Sequence, residues 1–257
     1  MIRNLVRPLL SNTVLRVGSV RPILFGPCKG LKYRIFPGFG ISPLYGGWEP
    51  DAQVLMVKHI RPGSVVYDVG ANYGIHTLLM ARLATDTGHV YAFEPVPAIH
   101  SELQKNVTLN GFRNVTLVKL AINDYTGETT FVMGHHDGAG HLATAGTQQG
   151  DKLTVHTVTL DEFVFDRGNR PPNFIKVDVE GAESKVLGGG ERTLQSAQPI
   201  ILVDLHTPDQ DVAVGSILAR CGYEAYRTED GAKVKDLSKG WPDPDGIWGQ
   251  IVALPRQ

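Results

Sequence analysis

Val65-Val66-Tyr67-Asp68-Val69-Gly70-Ala71-Asn72-Tyr73-Gly74 is a short apolar run that breaks into a glycine-punctuated turn. Behind it Ile75, Leu78, Leu79, Arg82 and Leu83 recur at helical spacing, and His89 to Phe93 is a second short apolar run. Strand, turn, helix and strand in that order spell a βαβ unit. Such units build a parallel sheet, and ligands of such sheets bind outside the carboxyl ends of the strands. The turn from Asp68 to Gly74 lies at that end.

Downstream the alternation continues. Pro97 opens a helix carrying Ile99, Leu103 and Val107 at i, i+4 and i+8, and Asn110-Gly111 stops it. Val115 to Leu120 is read as the third strand, with Ala121-Ile122-Asn123-Asp124 at its end. Gly127 to Met133 and Leu153 to Val158 look like added strands, and the Gly- and His-rich stretch from Gly134 to Gly150 reads as a mobile loop between them. Phe174 to Asp178 is a fourth core strand, a helix follows from Ala182, and Pro199 to Val203 is a fifth. Thr207-Pro208-Asp209-Gln210 combines an N-cap, a proline at N1 and a capping-box partner, so a helix is expected to Cys221, stopped at Gly222. Ile247 to Leu254 supplies a last strand.

Upstream, Asp51 to Ile60 suits a helix closed by Arg61-Pro62-Gly63, and Gly30 to Phe36 alternates like a half-buried strand ended by Pro37-Gly38-Phe39-Gly40. The 257 residues, 42% hydrophobic and 20% charged, fit one globular domain (51–257) behind an N-terminal extension (1–50). From Met1 to Trp48 the chain holds Arg3, Arg7, Arg16, Arg21, Lys29, Lys32 and Arg34 and no acid, so the remainder is net acidic. Leu5, Val6, Leu9 and Leu10 form an apolar stripe that Arg7 and Pro8 interrupt, and no stretch approaches the roughly 18 apolar residues of a membrane span. Stable membrane insertion is not expected. Cys28 and Cys221 have neither CxxC nor Cys/His spacing, which argues against a disulfide scaffold or structural zinc and suits the cytoplasm.

Glycines in the turn let backbone approach a ligand closely. Glu94, in Phe93-Glu94-Pro95 about 26 residues beyond Asp68, ends the second strand, where an acid accepts hydrogen bonds from ribose hydroxyls. Asn123 falls where an adenine edge would lie. The rival reading is an NAD-binding Rossmann oxidoreductase. It requires G-x-G-x-x-G for its pyrophosphate, whereas the two possible registers give Gly70, Asn72, Ile75 or Asp68, Gly70, Tyr73. A cationic sulfonium ligand has no phosphate to seat, and a carboxylate such as Asp68 nearby favours it.

These residues resemble the FkbM-type methyltransferase family, through Asp68 to Gly74, Phe93-Glu94-Pro95, Asn106 with Asn110, Thr159-Leu160-Asp161 and, most specifically, Lys176-Val177-Asp178-Val179-Glu180-Gly181-Ala182-Glu183. The resemblance implies an α/β, Rossmann-like class I methyltransferase fold. Its expected plan is a mostly parallel central sheet with helices on both faces, plus a small N-terminal β/helical extension. It implies S-adenosylmethionine as cofactor and O-methylation of a hydroxyl on a sugar, glycan or natural-product acceptor. Gly70, Asn72 and Gly74 would wrap the methionine portion, Glu94 the ribose and Asn123 the adenine, while Asp178 would face the transferred methyl. Asp204 stands where the family more often has Glu.

Asp178 and His206, after the fourth and fifth strands, are the candidate bases. Asp178, Glu180, Glu183, Asp204 and His206 are an oxygen-rich set, but Glu180 and Glu183 also suit a helix N-terminus, and His135, His136 and His141 lack a carboxylate or Cys framework, so no metal is assigned. Tyr45, Trp48 and Glu49 could form a lid. Gly188-Gly189-Gly190 lacks the Lys-Ser/Thr of a phosphate loop. A donor-binding protein without turnover is disfavoured by Glu94 together with Asp178. A nucleic-acid methyltransferase is the weaker class, because the formal net charge is −1 and the body lacks basic–aromatic interleaving.

Overall fold

The computed structural model describes residues 16–36, 42–133, 140–142, 151–240 and 249–256. The extension contributes a hairpin of β1 (Val20–Pro22) and β2 (Lys32–Arg34), then α1 (Pro50–His59). Next come β3 (Val65–Val69), α2 (Ile75–Ala84), β4 (His89–Phe93), α3 (Pro97–Leu109) and β5 (Val115–Val118). An insert of β6 (Ala121–Ile122), β7 (Gly127–Met133), β8 (Gly140–Leu142) and β9 (Asp151–Val158) precedes β10 (Phe174–Val177), α4 (Glu183–Gly188) and α5 (Glu191–Ala197). The chain ends on β11 (Ile200–Asp204), α6 (Pro208–Arg220), β12 (Tyr223–Arg227) and β13 (Gln250–Pro255).

Among the described residues the central sheet has the order β12-β13-β11-β10-β3-β4-β5, parallel from β11 to β5, with β13 antiparallel to both its neighbours. β3 and β10 are buried at every position because helices cover both faces, which is why they read as continuous apolar runs. One core joins the sheet to α4, α5 and α6 through Val186, Leu187, Leu194, Val214 and Leu218. The other joins it to α1, α2 and α3 through Met56, Leu78, Leu79, Leu103 and Val107, and takes in Tyr33, Ile23 and Cys28 of the extension. Asn110 Oδ1 accepts from Lys32 N–H while its Nδ2 donates to Lys32 C=O, each at 2.8 Å, and Asn106 Oδ1 accepts from Arg34 N–H at 3.0 Å. The two asparagines of the family-like pattern therefore bind β2 to α3.

The chain order reverses at β3 and β10: β4 and β5 lie to one side, β10 and β11 to the other. Open α/β sheets place their ligand crevice at this switch point.

Several expectations are corrected. Ala121-Ile122 does not extend the third strand; it leaves β5 to pair in parallel with β9 in a second, four-stranded sheet. The single helix expected from Ala182 is two, α4 and α5, because Gly188-Gly189-Gly190 packs edge-on. A Cβ on Gly189 would sit 2.2 Å from the Asn123 carbonyl oxygen, and one on Gly190 2.7 Å from Leu160 Cδ1. Asp161 completes the junction by accepting from Thr193 N–H at 2.7 Å and Arg192 N–H at 3.1 Å. Gln210 is not a capping-box partner: its Oε1 accepts from Ser184 N–H at 2.9 Å, which ties α6 to α4, and Thr207 makes no side-chain cap bond. β1 and β12 were not read from the sequence. Residues 1–15 with their apolar stripe, Pro37 to Gly40, His135 and His136, and the start of the last strand at Ile247 lie outside the described residues, as does the 134–150 stretch except Gly140–Leu142.

Gly189→Ala tests the glycine junction. Adding a methyl against backbone costs roughly 1–3 kcal/mol, and a chain of this size loses about 2–4 °C of melting temperature per kcal/mol. A thermal melt should therefore show a drop of several degrees; an unchanged Tm would mean that Gly189 is not seated on Asn123.

Candidate active site

The pleat assembles a charged row at the carboxyl edge of the sheet. Side chains alternate along a strand, so Lys176 and Asp178 share a face. Lys176 is in register with Asp68 on β3 and with Leu202 on β11, which places Asp204, two residues past Leu202, on that face too. Lys176 is 3% exposed, and its Nζ lies 2.8 Å from Asp178 Oδ2. Burial opposes the ammonium charge, but Asp178, Glu49 and Asp68 hold the proton on, above the ordinary lysine range. Burial likewise pushes the Asp178 carboxyl up, yet the Lys176 ammonium and its hydrogen bond outweigh it and leave Asp178 below the usual carboxylate range.

The principal cleft opens at the switch point. Its walls are apolar, with Phe93, Val96, Ile99, Leu120, Ile122 and Phe131, the last two contributed by the second sheet. Gly70, Asn72, Glu94 and Asp178 also line it. Gly70 must be glycine: its φ is +83° and a Cβ would lie 1.8 Å from the Asp178 carbonyl oxygen. Glu94 is 5% exposed; its Oε2 accepts from Asn72 N–H at 3.1 Å and its Oε1 from Val96 N–H at 2.8 Å. Burial raises its carboxyl to about 7, against the opposing pull of those two backbone donors. A carboxylate has about four acceptor sites, so both oxygens can still receive hydroxyls from the cleft.

A smaller compartment adjoins it, sharing Gly70, Asn72 and Asp178 and adding Tyr33, Trp48, Glu49, Gly74, His76 and Lys176. Non-glycine residues held in the left-handed region border the two compartments: Glu49 (φ 40°), Asn72 (φ 50°) and Glu180 (φ 56°). Backbone strain of this kind concentrates at functional sites.

His206, just past β11, approaches Asp178 from the other side, with Nε2 3.7 Å from Asp178 Oδ1. Its Nδ1 lies 2.8 Å from Oε1 of Glu183, a fully buried carboxylate that also accepts from Gly181 N–H at 2.9 Å. The Glu183 hydrogen bond, against some desolvation, raises His206 to about 9. Donor atoms of Asp178, Asp204 and His206 all lie within 4.8 Å of one another, a spacing a divalent ion could bridge. Lys176 already neutralises Asp178, and a metal-bound imidazole must give up the proton that Glu183 favours.

Of the residues singled out in the sequence, Gly70, Asn72, Glu94 and Asp178 line the principal cleft and Gly74 the smaller compartment. Asp68, Asn123 and His206 line neither. Asp68 is completely buried behind the turn, where Thr77 Oγ1 donates to its Oδ2 at 2.5 Å, so it ties β3 to α2. Asn123 is 1% exposed with both amide atoms lacking a hydrogen-bond partner, and the wall expected of it is made by Leu120, Ala121 and Ile122. Lys176 and His76 were given no role from sequence, and Glu183 was read only as part of an oxygen-rich set or as an acid at a helix N-terminus, not as the partner of His206. A lysine inside an apolar strand, two residues from Asp178, was the available signal for the first.

The FkbM methyltransferase domain profile matches residues 68–225. The hexuronic acid methyltransferase AglP of Haloferax volcanii is 28% identical over 201 residues, covering 75% of this chain and 78% of that protein. The 31-O-demethyl-FK506 methyltransferase FkbM of Streptomyces tacrolimicus is 28% identical over 189 residues, covering 62% and 71%. Among solved structures, a SAM-dependent O-methyltransferase of Thermotoga maritima shares the fold, with a TM-score of 0.50 at 12% identity over 93% of this chain and 78% of that one. With the domain profile spanning most of the chain and the cleft lying at the switch point of the matching fold, the chain belongs to the FkbM methyltransferase family.

Proposed function

We propose that this chain transfers a methyl group from S-adenosylmethionine to a hydroxyl of a sugar, glycan or natural-product acceptor. The observation that carries the reading is that Glu94 and Asp178, from two different strand ends, line one cleft with apolar walls. A bound donor supplies an electrophilic methyl on a sulfonium. Glu94 accepts the ribose hydroxyls, the walls from Phe93 to Phe131 take the flat apolar base, and Gly70 with Asn72 lets backbone close on the tail. Asp178 hydrogen-bonds the acceptor hydroxyl and orients its lone pair, and alignment of this kind supplies about 7–11 kcal/mol of a displacement barrier. In its deprotonated form His206 receives the hydroxyl proton at Nε2, with Glu183 fixing the ring through Nδ1. Residues 1–50 serve as extension and lid over a donor-binding domain of 51–257. No helix among the described residues is long and apolar enough to cross a membrane. The two buried free cysteines suit action in the cytoplasm.

Calorimetric titration with S-adenosylhomocysteine and, in parallel, NAD(H) tests the donor. Saturable binding of the first alone is expected, and binding of NAD(H) alone would replace this reading with the oxidoreductase one.

A further inference from the structure

We propose that Glu49 and His76 form the receptor for the amino-acid tail of the methyl donor, Glu49 taking its ammonium and His76 its carboxylate. The assignment rests on the donor reading above and extends it to two residues of the smaller compartment, one of them outside the 68–225 match. A ligand filling the principal cleft as far as Gly70, Asn72 and Asp178 continues into that compartment, because the two share those residues.

His76 stands in the first turn of α2 and is 4% exposed, and its Nε2 has no hydrogen-bond partner. Glu49 Oε2 lies 3.9 Å away, beyond hydrogen-bond reach. Burial lowers its basicity far below the usual histidine range, so the ring is neutral and offers an N–H. Buried polar nitrogens are seldom left unsatisfied. The same first turn of a ten-residue helix, entered through Gly74, presents free backbone N–H groups and the positive end of its dipole to this compartment. An imidazole N–H beside a helix N-terminus suits a carboxylate.

Glu49 supplies the complementary sign. It caps α1 in a left-handed conformation, and its carboxylate is steadied by Gln250 Nε2 at 3.4 Å. The acids Asp178, Asp204 and Asp68 surround it, and the Lys176 ammonium, which pulls the Glu49 carboxyl down, is shared with Asp178 at 2.8 Å. Burial with those neighbours pushes the Glu49 carboxyl up, and a cation arriving at its oxygens relieves the repulsion. A primary ammonium on the same carbon as a carboxylate matches the pair, because Glu49 Oε2 and His76 Nε2 lie 3.9 Å apart on the lining of one compartment.

Three ligands separate the contributions by calorimetry: S-adenosylhomocysteine, its decarboxylated analogue, which keeps the ammonium, and 5′-methylthioadenosine, which lacks the tail. Glu49→Gln is expected to weaken the first two alike, by about 10- to 100-fold, and to leave the third unchanged. His76→Phe is expected to weaken S-adenosylhomocysteine alone. Unchanged methylthioadenosine binding certifies that each variant is folded; should His76→Phe not fold, the Glu49→Gln series still decides. Equal losses for all three ligands, or no loss for any, would overturn the assignment. Wild-type protein that binds none of the three would overturn the donor reading itself, and the assignment with it.

Discussion

Asp178→Asn lowers kcat by about 10²-fold, the cost of losing the group that positions the acceptor hydroxyl, while S-adenosylhomocysteine affinity stays within a few-fold. Asparagine preserves the size of the side chain and one hydrogen bond to Lys176, so the cleft keeps its shape; what disappears is the charge that orients the acceptor hydroxyl. The Lys176 ammonium then loses its nearest counter-ion in a buried site. Breaking a buried pair on one side costs about 3–5 kcal/mol, so the comparison belongs at a temperature where ligand binding shows the variant folded. The pH profile of the wild type identifies the proton's destination. His206 is held protonated up to about 9 by Glu183, so if it receives the hydroxyl proton, kcat/KM rises with pH through that value. A profile flat from pH 7 to 10 would leave Asp178 as sole acceptor. The sign for stability is opposite: a histidine raised from 6.5 to about 9 on folding stabilises the protein fully below pH 6.5 and loses that contribution as pH climbs through 9. Rising activity and falling stability over one pH interval would mark His206 as the shared cause.

Glu94→Ala is expected to weaken S-adenosylhomocysteine by 100-fold or more. Hydrogen bonds to a charged acceptor contribute about 1.5–3 kcal/mol each, and two ribose hydroxyls would be lost together. The Asn72 and Val96 N–H groups would also lose their acceptor, loosening the turn that borders both compartments. Because burial places the Glu94 carboxyl near 7, the ionised form that accepts hydroxyls is depleted below neutrality. Wild-type affinity should therefore fall as the pH drops below about 7, and Glu94→Gln should flatten that dependence. Calorimetry of the two proteins between pH 6 and 8.5 checks both statements; pH-independent wild-type binding would remove Glu94 from the ribose.

The parts of this site legible in the sequence were those carried by strand ends. Glu94 and Asp178 follow apolar runs whose length fixes where the sheet's carboxyl edge falls, and no knowledge of neighbours was needed to place them. Asn123 failed the same logic because β5 stops at Val118 and the next strand changes sheets, a choice of partner that periodicity does not encode. Lys176 was visible as an anomaly in its strand, but its meaning depends on Asp178 and Asp68 lying on one pleated face. Glu49 and His76 are separated by 27 positions and meet only because the extension packs on α2. The Gly188-Gly189-Gly190 run was read for what phosphate chemistry it lacked, whereas its role is steric, set by Asn123 and Leu160.

The placement of β13 between β11 and β12 bears on how the protein is made. During synthesis β12 emerges before β13 and has no sheet partner until β13 arrives; meanwhile β11, which carries Asp204 and leads to His206, is an open edge. Exposed edges invite pairing with other chains, and larger domains pass through such incomplete states as they fold. Gln250, which steadies Glu49 across 201 positions, comes with that same strand. The Glu49 side of the smaller compartment is thus completed by a strand that emerges only after every strand of the parallel part of the sheet.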